Sequence, residues 1–379
     1  MPDPVTPFEI RIEDAVIADL HRRLDATRWP ERETVADWSQ GVPLDYVQAL
    51  CRTWREDYDW RARERRLNRF DQFTTELDGL AIHFIHQRSP HAQARPLLIT
   101  HGWPGSIVEF HKVIDPLVDP PAHGGRAEDA FHVVCPSLPG YGFSGKPTGA
   151  GWGVGKIATV WNQLMLRLGY ARYFAQGGDW GAAVTTVIGQ QNLGNCQAIH
   201  VNMPIVEPDP ATLDDPSPLE QRALAAMQYY ADHDSGYSKQ QATRPQTLGY
   251  GLTDSPAGQA AWIVEKFQAW TDCDGHPENA LGRDELLDNI MLYWCTASAA
   301  SSARLYWESF SSLPRGTVDL PAGISLYPKE IFLTSRRWAQ RRYTRLVHWN
   351  ELARGGHFAA LEQPQVFVDE LRTCFRALR

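Results

Sequence analysis

Cysteine is sparse in this 379-residue chain: Cys51, Cys135, Cys196, Cys273, Cys295 and Cys374 make no C-x-x-C pair, and no histidine stands at zinc-finger spacing. That scatter indicates neither a disulfide framework nor a zinc site, so the thiols read as reduced and mostly packing residues. An excess of basic charge is also missing. The formal net charge is -8 and the isoelectric point about 5.9, which argues against a nucleic-acid partner, since phosphate binding needs a basic footprint. The one dense basic stretch, Arg61 to Arg69, is short, contains Glu64, and reads as a solvated helix face. No long apolar run opens the chain, because Asp3, Glu9, Arg11, Glu13 and Asp14 interrupt residues 1–19. The sequence therefore predicts a soluble, cytoplasmic protein with no membrane partner. There is no internal repeat, no low-complexity segment, and no serine in a G-x-S-x-G context, so a serine esterase would lack its nucleophile.

What is present is the composition of an ordinary globular protein, 43% hydrophobic and 22% charged. The length favours one large core with insertions or two smaller ones. Val16, Ile17, Leu20 and Leu24 recur at helical spacing within residues 8–29. Trp29, Trp38, Trp54 and Trp60 follow in a polar stretch, and so many indoles imply an N-terminal segment that packs against the main domain. Residues 77–86 alternate like a strand, and 96–100 read as a short buried one. A regular rhythm then begins: strand 131–135, helix 154–168, strand 173–176, helix 182–190, strand 198–202. Strands alternating with helices imply an α/β fold with a mostly parallel sheet covered on both faces. Proline-rich loops and separate helical stretches (260–270, 286–294) break that rhythm, as an inserted helical cap would. Buried-strand patterns resume at 324–327 and 346–349, and an amphipathic helix over 365–378 closes the chain. The expected organisation is an N-terminal segment 1–75, a core in two parts, 76–203 and 316–379, and a cap 204–315.

Three short motifs carry chemistry. Gly177-Gly178-Asp179-Trp180-Gly181 lies between a predicted strand and a predicted helix, a nucleophile elbow with Asp in place of Ser. The bland alternative is a glycine-rich turn whose Asp caps the helix, and the motif alone leaves the two readings even. His101-Gly102-Trp103-Pro104-Gly105 follows a buried strand, where the backbone N–H of Trp103, with that of Trp180, could bind a developing oxyanion. Arg354-Gly355-Gly356-His357-Phe358 follows the last predicted strand and completes the chain order nucleophile, acid, histidine. The acid is harder to place, with Asp319, Glu330 and Glu351 all in range; Glu330 directly follows the strand 324–327, from which a carboxylate can hold the imidazole tautomer. Gly140 to Lys146 satisfies both G-x-G-x-x-G and G-x-x-x-x-G-K, yet Pro147 stands where Ser or Thr would hold Mg²⁺ and Pro136 and Pro139 separate the loop from its strand, so neither phosphate motif is credible.

Together these motifs resemble epoxide hydrolases of the microsomal type, from the N-terminal segment through Glu362. The resemblance implies an α/β-hydrolase fold, in which H-G-W-P supplies the oxyanion hole (Trp103, Trp180), G-G-D-W-G the nucleophile Asp179, and G-G-H-F-A-A at Gly355 to Ala360 the base His357. Gly323 to Glu330, G-I-S-L-Y-P-K-E, is similar to the family segment that ends in its relay glutamate. Ser235-Gly236-Tyr237 and Arg304-Leu305-Tyr306 look like the sites of its two epoxide-binding tyrosines. The implied reaction converts an epoxide to a diol through an aspartyl ester with water as co-substrate, no cofactor and no metal. Microsomal members carry a membrane anchor, whereas this chain begins with the segment itself and looks like a bacterial-style relative. Such relatives act in natural-product pathways, enediyne antibiotics among them, or in detoxification, and no residue decides between these roles or fixes whether the chain is a homo-oligomer. A haloalkane dehalogenase shares the Asp, His and fold, and a non-catalytic binding protein shares the fold alone. The two tyrosines weigh against the first, and the intact nucleophile, base and acid against the second.

Overall fold

The computed structural model describes residues 4–313 and 315–378. The N-terminal strand pattern resolves into a hairpin, since β1 (Thr6–Phe8), β2 (Gln72–Leu77) and β3 (Leu80–Gln87) pair antiparallel in that order. The strand expected over 77–86 is β3 carried back across the Asp78-Gly79 turn to the last residue of β2, which the sequence reading did not separate. Both turn residues have positive φ, 51° and 75°, the backbone of a two-residue turn whose hand matches the strand twist. The alternation concealed the turn; the Asp-Gly pair was its signature. The expected boundary at residue 75 falls inside β2.

The remaining strands are β4 (Arg95–Thr100), β5 (Phe131–Pro136), β6 (Tyr173–Gly177), β7 (Cys196–Val201), β8 (Val318–Leu326) and β9 (Tyr343–Glu351). The nine-stranded sheet runs β1-β2-β3-β5-β4-β6-β7-β8-β9, parallel from β5 onward. β8 and β9 begin earlier than the apolar runs at 324–327 and 346–349 suggested. β9 pairs on one side only and stays partly exposed, so its polar residues Arg345, His348 and Asn350 carry no buried-strand signal. Neighbouring residues on a strand point to opposite faces, and β6 shows the outcome. The Tyr173 hydroxyl donates to Asn162 Oδ1 (3.0 Å) in the helix Val154–Arg167, while Phe174 stacks at 4.5 Å on Phe375 of the closing helix Pro364–Arg376. Helices therefore cover both faces of the sheet.

After β7 the chain leaves the sheet and forms helices Pro218–Tyr229, Gly236–Thr243, Pro245–Asp254, Pro256–Trp270, Arg283–Cys295 and Ala299–Ser309 before β8. The N-terminal segment holds helices Asp14–Asp25, Leu44–Glu56 and Trp60–Leu67 and rests largely on the inserted helices rather than on the sheet alone. Trp54 Nε1 donates to Met291 Sδ (3.1 Å) and the Tyr58 hydroxyl to Asp288 Oδ1 (2.7 Å), while Trp29 is left exposed. The basic stretch is correspondingly less solvated than expected, for Arg63 ion-pairs with Asp288 and Arg61 with Asp14 and Glu64. No helix among the described residues is long and apolar enough to cross a membrane.

Several histidines are locked inside as neutral groups. Burial pushes His83, His111 and His200 down to about 3 and His86 and His101 to about 4. Their folded values lie below the unfolded value near 6.5, so between those limits the unfolded chain binds more protons and stability is lost as pH falls. Buried Glu109, held up to about 8, and Glu362, held up to about 7, run the other way and offset part of that loss, so thermal melts are expected to drop by on the order of several °C between pH 7 and pH 5. A melting temperature that is flat over that window contradicts the account.

Candidate active site

β6 runs directly into the helix Asp179–Gln191, so Asp179 is itself the first helical residue and the helix starts three residues before the expected Ala182. Its φ of 50° is a left-handed value that a residue other than glycine rarely adopts, and it turns the carboxylate up from the end of the sheet. The turn is this tight because glycines flank it. A Cβ at Gly181 would lie 1.9 Å from the Thr100 carbonyl oxygen, and one at Gly177 2.1 Å from that of Gly181. Backbone, which cannot yield, enforces both positions.

Around this carboxylate the structure brings together the loops after β4, β8 and β9. Trp103 N–H donates to Asp179 Oδ1 at 2.7 Å. Trp180 is the second helical residue, where the backbone N–H has no intrahelical acceptor. His357 Nε2 stands 3.3 Å from Asp179 Oδ2, and its Nδ1 is 2.6 Å from Glu330 Oε1. Of the three acids weighed from the sequence, only Glu330 reaches the imidazole: Asp319 accepts from Thr344 Oγ1 (2.7 Å) and Glu351 from Trp349 Nε1 (3.0 Å). Burial alone would push the His357 value down, but the charges of Glu330 and Asp179 outweigh it and hold the imidazolium well above its ordinary range.

The inserted helices clamp both loops. Asn289 Nδ2 donates to the Pro104 carbonyl (2.7 Å) and the Tyr293 hydroxyl to that of Gly105 (2.8 Å), fixing the strand-end loop that carries Trp103. His357 N–H donates to the Trp270 carbonyl and Gly355 N–H to Asp272 Oδ2, each at 2.9 Å. Tyr237 and Tyr306 are buried over Asp179, backed by the two indoles of the sequence motifs. Trp103 stacks on Tyr237 at 4.9 Å and 11°, and Trp180 meets Tyr306 edge-on at 4.8 Å. Burial first, with Asp179 contributing to each, raises both phenols well above their ordinary value, so they rest as protonated donors.

Asp179, Tyr237 and Tyr306 face a cavity of about 200 Å³ whose other lining is mostly apolar, with Met203, Ile205, Val206, Phe310, Ile331 and Phe332 prominent and, among the described residues, no lysine or arginine. Sequence reasoning missed Tyr230, which lines this cavity with its hydroxyl 3.3 Å from that of Tyr237. No local signal marked it, because a π-helical turn at Tyr230–Asp234 separates the helix ending at Tyr229 from the one that carries Tyr237. Sequence reasoning also missed Trp270 and Lys266, whose contacts with Tyr237 and Asp234 span 29 or more residues in sequence.

Residues 5–110 match the family described as epoxide hydrolase N terminus, and residues 95–247 the alpha/beta hydrolase fold. A Stigmatella aurantiaca protein assigned to the epoxide hydrolases is 58% identical over 99% of this chain and 86% of its own length. Epoxide hydrolase 1 of Oryctolagus cuniculus is 35% identical over 97% of this chain and 88% of its own. The crystal structure of juvenile hormone epoxide hydrolase from Bombyx mori superposes with a TM-score of 0.91 at 31% identity, covering 99% of this chain and 96% of that one.

A histidine-selective NMR titration is expected to find His357 still protonated above pH 6.5, and Glu330→Gln, by removing a charge that raises it, is expected to shift its midpoint downward. An identical titration in wild type and variant would mean that Glu330 does not set the charge on the imidazole.

Proposed function

Because the chain belongs to the epoxide hydrolase family of the α/β-hydrolase superfamily, and so takes a small-molecule epoxide and water, we propose that it opens an apolar epoxide through a covalent ester on Asp179. The observation that carries this reading is the division of the Asp179 carboxylate: Oδ1 is held by the Trp103 N–H, while Oδ2 faces His357 beneath two buried phenols. Displacement at an sp³ carbon suits a carboxylate, which needs no general base to become nucleophilic. In the first step Oδ2 bonds to a ring carbon, the carbon–oxygen bond breaks, and the electron pair stays on the epoxide oxygen, which takes a proton from a phenol of the Tyr237 and Tyr306 pair.

Esterification removes the Asp179 charge that helped keep His357 protonated. The imidazolium then returns a proton to the phenolate and becomes the free base, oriented through Nδ1 by Glu330. It takes a proton from water, the water oxygen attacks the ester carbonyl, and Oδ1 carries the developing negative charge toward the N–H groups of Trp103 and Trp180. Collapse breaks the bond between the carboxyl carbon and the former Oδ2, the departing alkoxide takes the remaining proton of the attacking hydroxyl, and the diol leaves with the carboxylate–imidazolium pair restored. The apolar lining without a cation favours an uncharged, hydrophobic epoxide.

Asp179→Ala is expected to abolish diol formation from an aryl epoxide while thermal melting stays close to wild type. His357→Gln, which keeps the nucleophile and removes the base, is expected to accumulate an adduct heavier by the mass of one epoxide in intact-protein mass spectrometry. Turnover by Asp179→Ala, or an unmodified His357→Gln protein after incubation with substrate, would exclude the ester.

A further inference from the structure

The two phenols over Asp179 stand in different surroundings. Tyr306 lies among the rings of Trp103, Trp180 and Phe310, with Tyr237 5.7 Å away as its polar neighbour, and among the described residues no cation lies over its ring. Tyr237 is supplied with two polar neighbours that the mechanism above does not use. The first is Tyr230. The single hydroxyl proton of Ser238 goes to the Ser235 carbonyl (2.9 Å), so in the contact between Ser238 and Tyr230 it is Tyr230 that donates, at 2.9 Å. That one phenolic proton lies between Ser238 Oγ and the Tyr237 oxygen 3.3 Å away. The second is Lys266, a nearly fully buried side chain whose Nζ lies over the Tyr237 ring, 4.5 Å from its centroid.

One stretch of backbone positions both. Residues Tyr230–Asp234 form a π-helical turn, a rare conformation that costs helix hydrogen-bond regularity and recurs at functional sites. Tyr230 opens the turn and Asp234 closes it. Asp234 Oδ1 accepts from Lys266 (2.6 Å) and its Oδ2 from Trp270 Nε1 (2.6 Å), whose ring packs against both Tyr237 (5.2 Å) and His357 (5.1 Å). Glu265 is the other anion on Lys266, at 3.0 Å.

We propose that the phenols are not equivalent: Tyr237 is the one that yields its proton to the opening ring, and Tyr230 and Lys266 are positioning residues that stabilise the phenolate it becomes. The proposal rests on the ring-opening reading above and assigns its proton. As the Asp179–carbon bond forms and the ring carbon–oxygen bond breaks, one negative charge moves from Asp179 to the Tyr237 oxygen and the Tyr237 proton moves to the substrate oxygen. A phenolate is a stronger acceptor than Ser238, because a hydrogen bond to a charged group is about twice as strong as a neutral one, so the Tyr230 proton swings to it. The ammonium over the ring gains attraction at the same moment, since a ring that has lost a proton carries full negative charge and not only a quadrupole. Both interactions are stronger after proton transfer than before it, the condition under which a residue speeds the step.

Single-turnover kinetics with excess enzyme and styrene oxide, followed by protein tryptophan fluorescence and by quenched-flow mass analysis, separate ester formation from ester hydrolysis. Tyr230→Phe, which keeps the ring, and Lys266→Met are each expected to slow ester formation about tenfold and to leave ester hydrolysis unchanged. Lys266→Met combined with Asp234→Asn, which leaves only the part-exposed Glu265 without its partner, is expected to show the same selective loss, and Lys266→Arg to recover most of the rate. The losses are expected to vanish in a Tyr237→Phe background and to persist in a Tyr306→Phe background. Losses equal in both backgrounds, or falling equally on the two steps, would overturn the assignment and leave Tyr230 and Lys266 as packing residues. If neither Tyr237→Phe nor Tyr306→Phe slows ester formation, the ring-opening reading itself fails, and this proposal with it.

Discussion

The carboxylate of Asp179 is held at one point by two partners that want different things from it: a backbone N–H on Oδ1 at 2.7 Å and an imidazolium on Oδ2 at 3.3 Å. Everything else in the site follows from keeping that arrangement. The left-handed turn at the end of β6 aims the carboxylate, and the carbonyl oxygens pressed against Gly177 and Gly181 leave no room for a relaxed alternative. The loop after β4 brings the N–H, and Glu330 beyond β8 brings the charge that keeps His357 protonated despite its burial. Because the same charge on Asp179 also supports that proton and raises the phenols, Asp179 sets the protonation of its own partners. In the proposed reaction, consuming that charge in an ester would loosen the proton on His357 and ease proton loss from the phenols together.

The inserted helices are part of the machinery rather than a lid over it. They contribute Tyr230, Tyr237 and Tyr306 to the cavity, accept the His357 N–H through the Trp270 carbonyl, and grip the Trp103 loop through Asn289 and Tyr293. The indoles of Trp103 and Trp180, next to the reacting carboxylate in both motifs, pack their faces and edges on the tyrosines. These two residues therefore join backbone electrostatics below to ring positioning above. The N-terminal segment, by ion-pairing Arg63 to Asp288 and seating Trp54 on Met291, buttresses the helix that carries Asn289.

That Asp179, Trp103 and His357 meet at one point could be read from the sequence because a glycine-flanked turn at a strand end is a local property, written within five residues. Glu330 was legible only as the acid nearest a strand end, and distance to the imidazole separates it from Asp319 and Glu351. Alternation without attention to Asp78-Gly79 ran β3 back across its turn and left β2 unseen, and β9 was shortened because an edge strand need not be apolar. The Tyr230, Asp234, Lys266 and Trp270 cluster was not legible. Its members read as an amphipathic helix and a polar loop, and only tertiary folding brings Lys266 to Asp234 across 32 positions. Buried charge of this kind has no local sequence signature, since each residue is ordinary until its partner is known.

The central claim is that water attacks the enzyme and not the epoxide. In a single turnover in ¹⁸O water with excess enzyme, the ester route sends the label into the Asp179 carboxylate, because the diol departs with an oxygen that Asp179 held before the reaction. Peptide mass spectrometry is predicted to find the segment containing Asp179 heavier by one label and the first-turnover diol unlabelled. Label in the diol with none in Asp179 would contradict the account, for it would make Asp179 a base that directs water onto the ring.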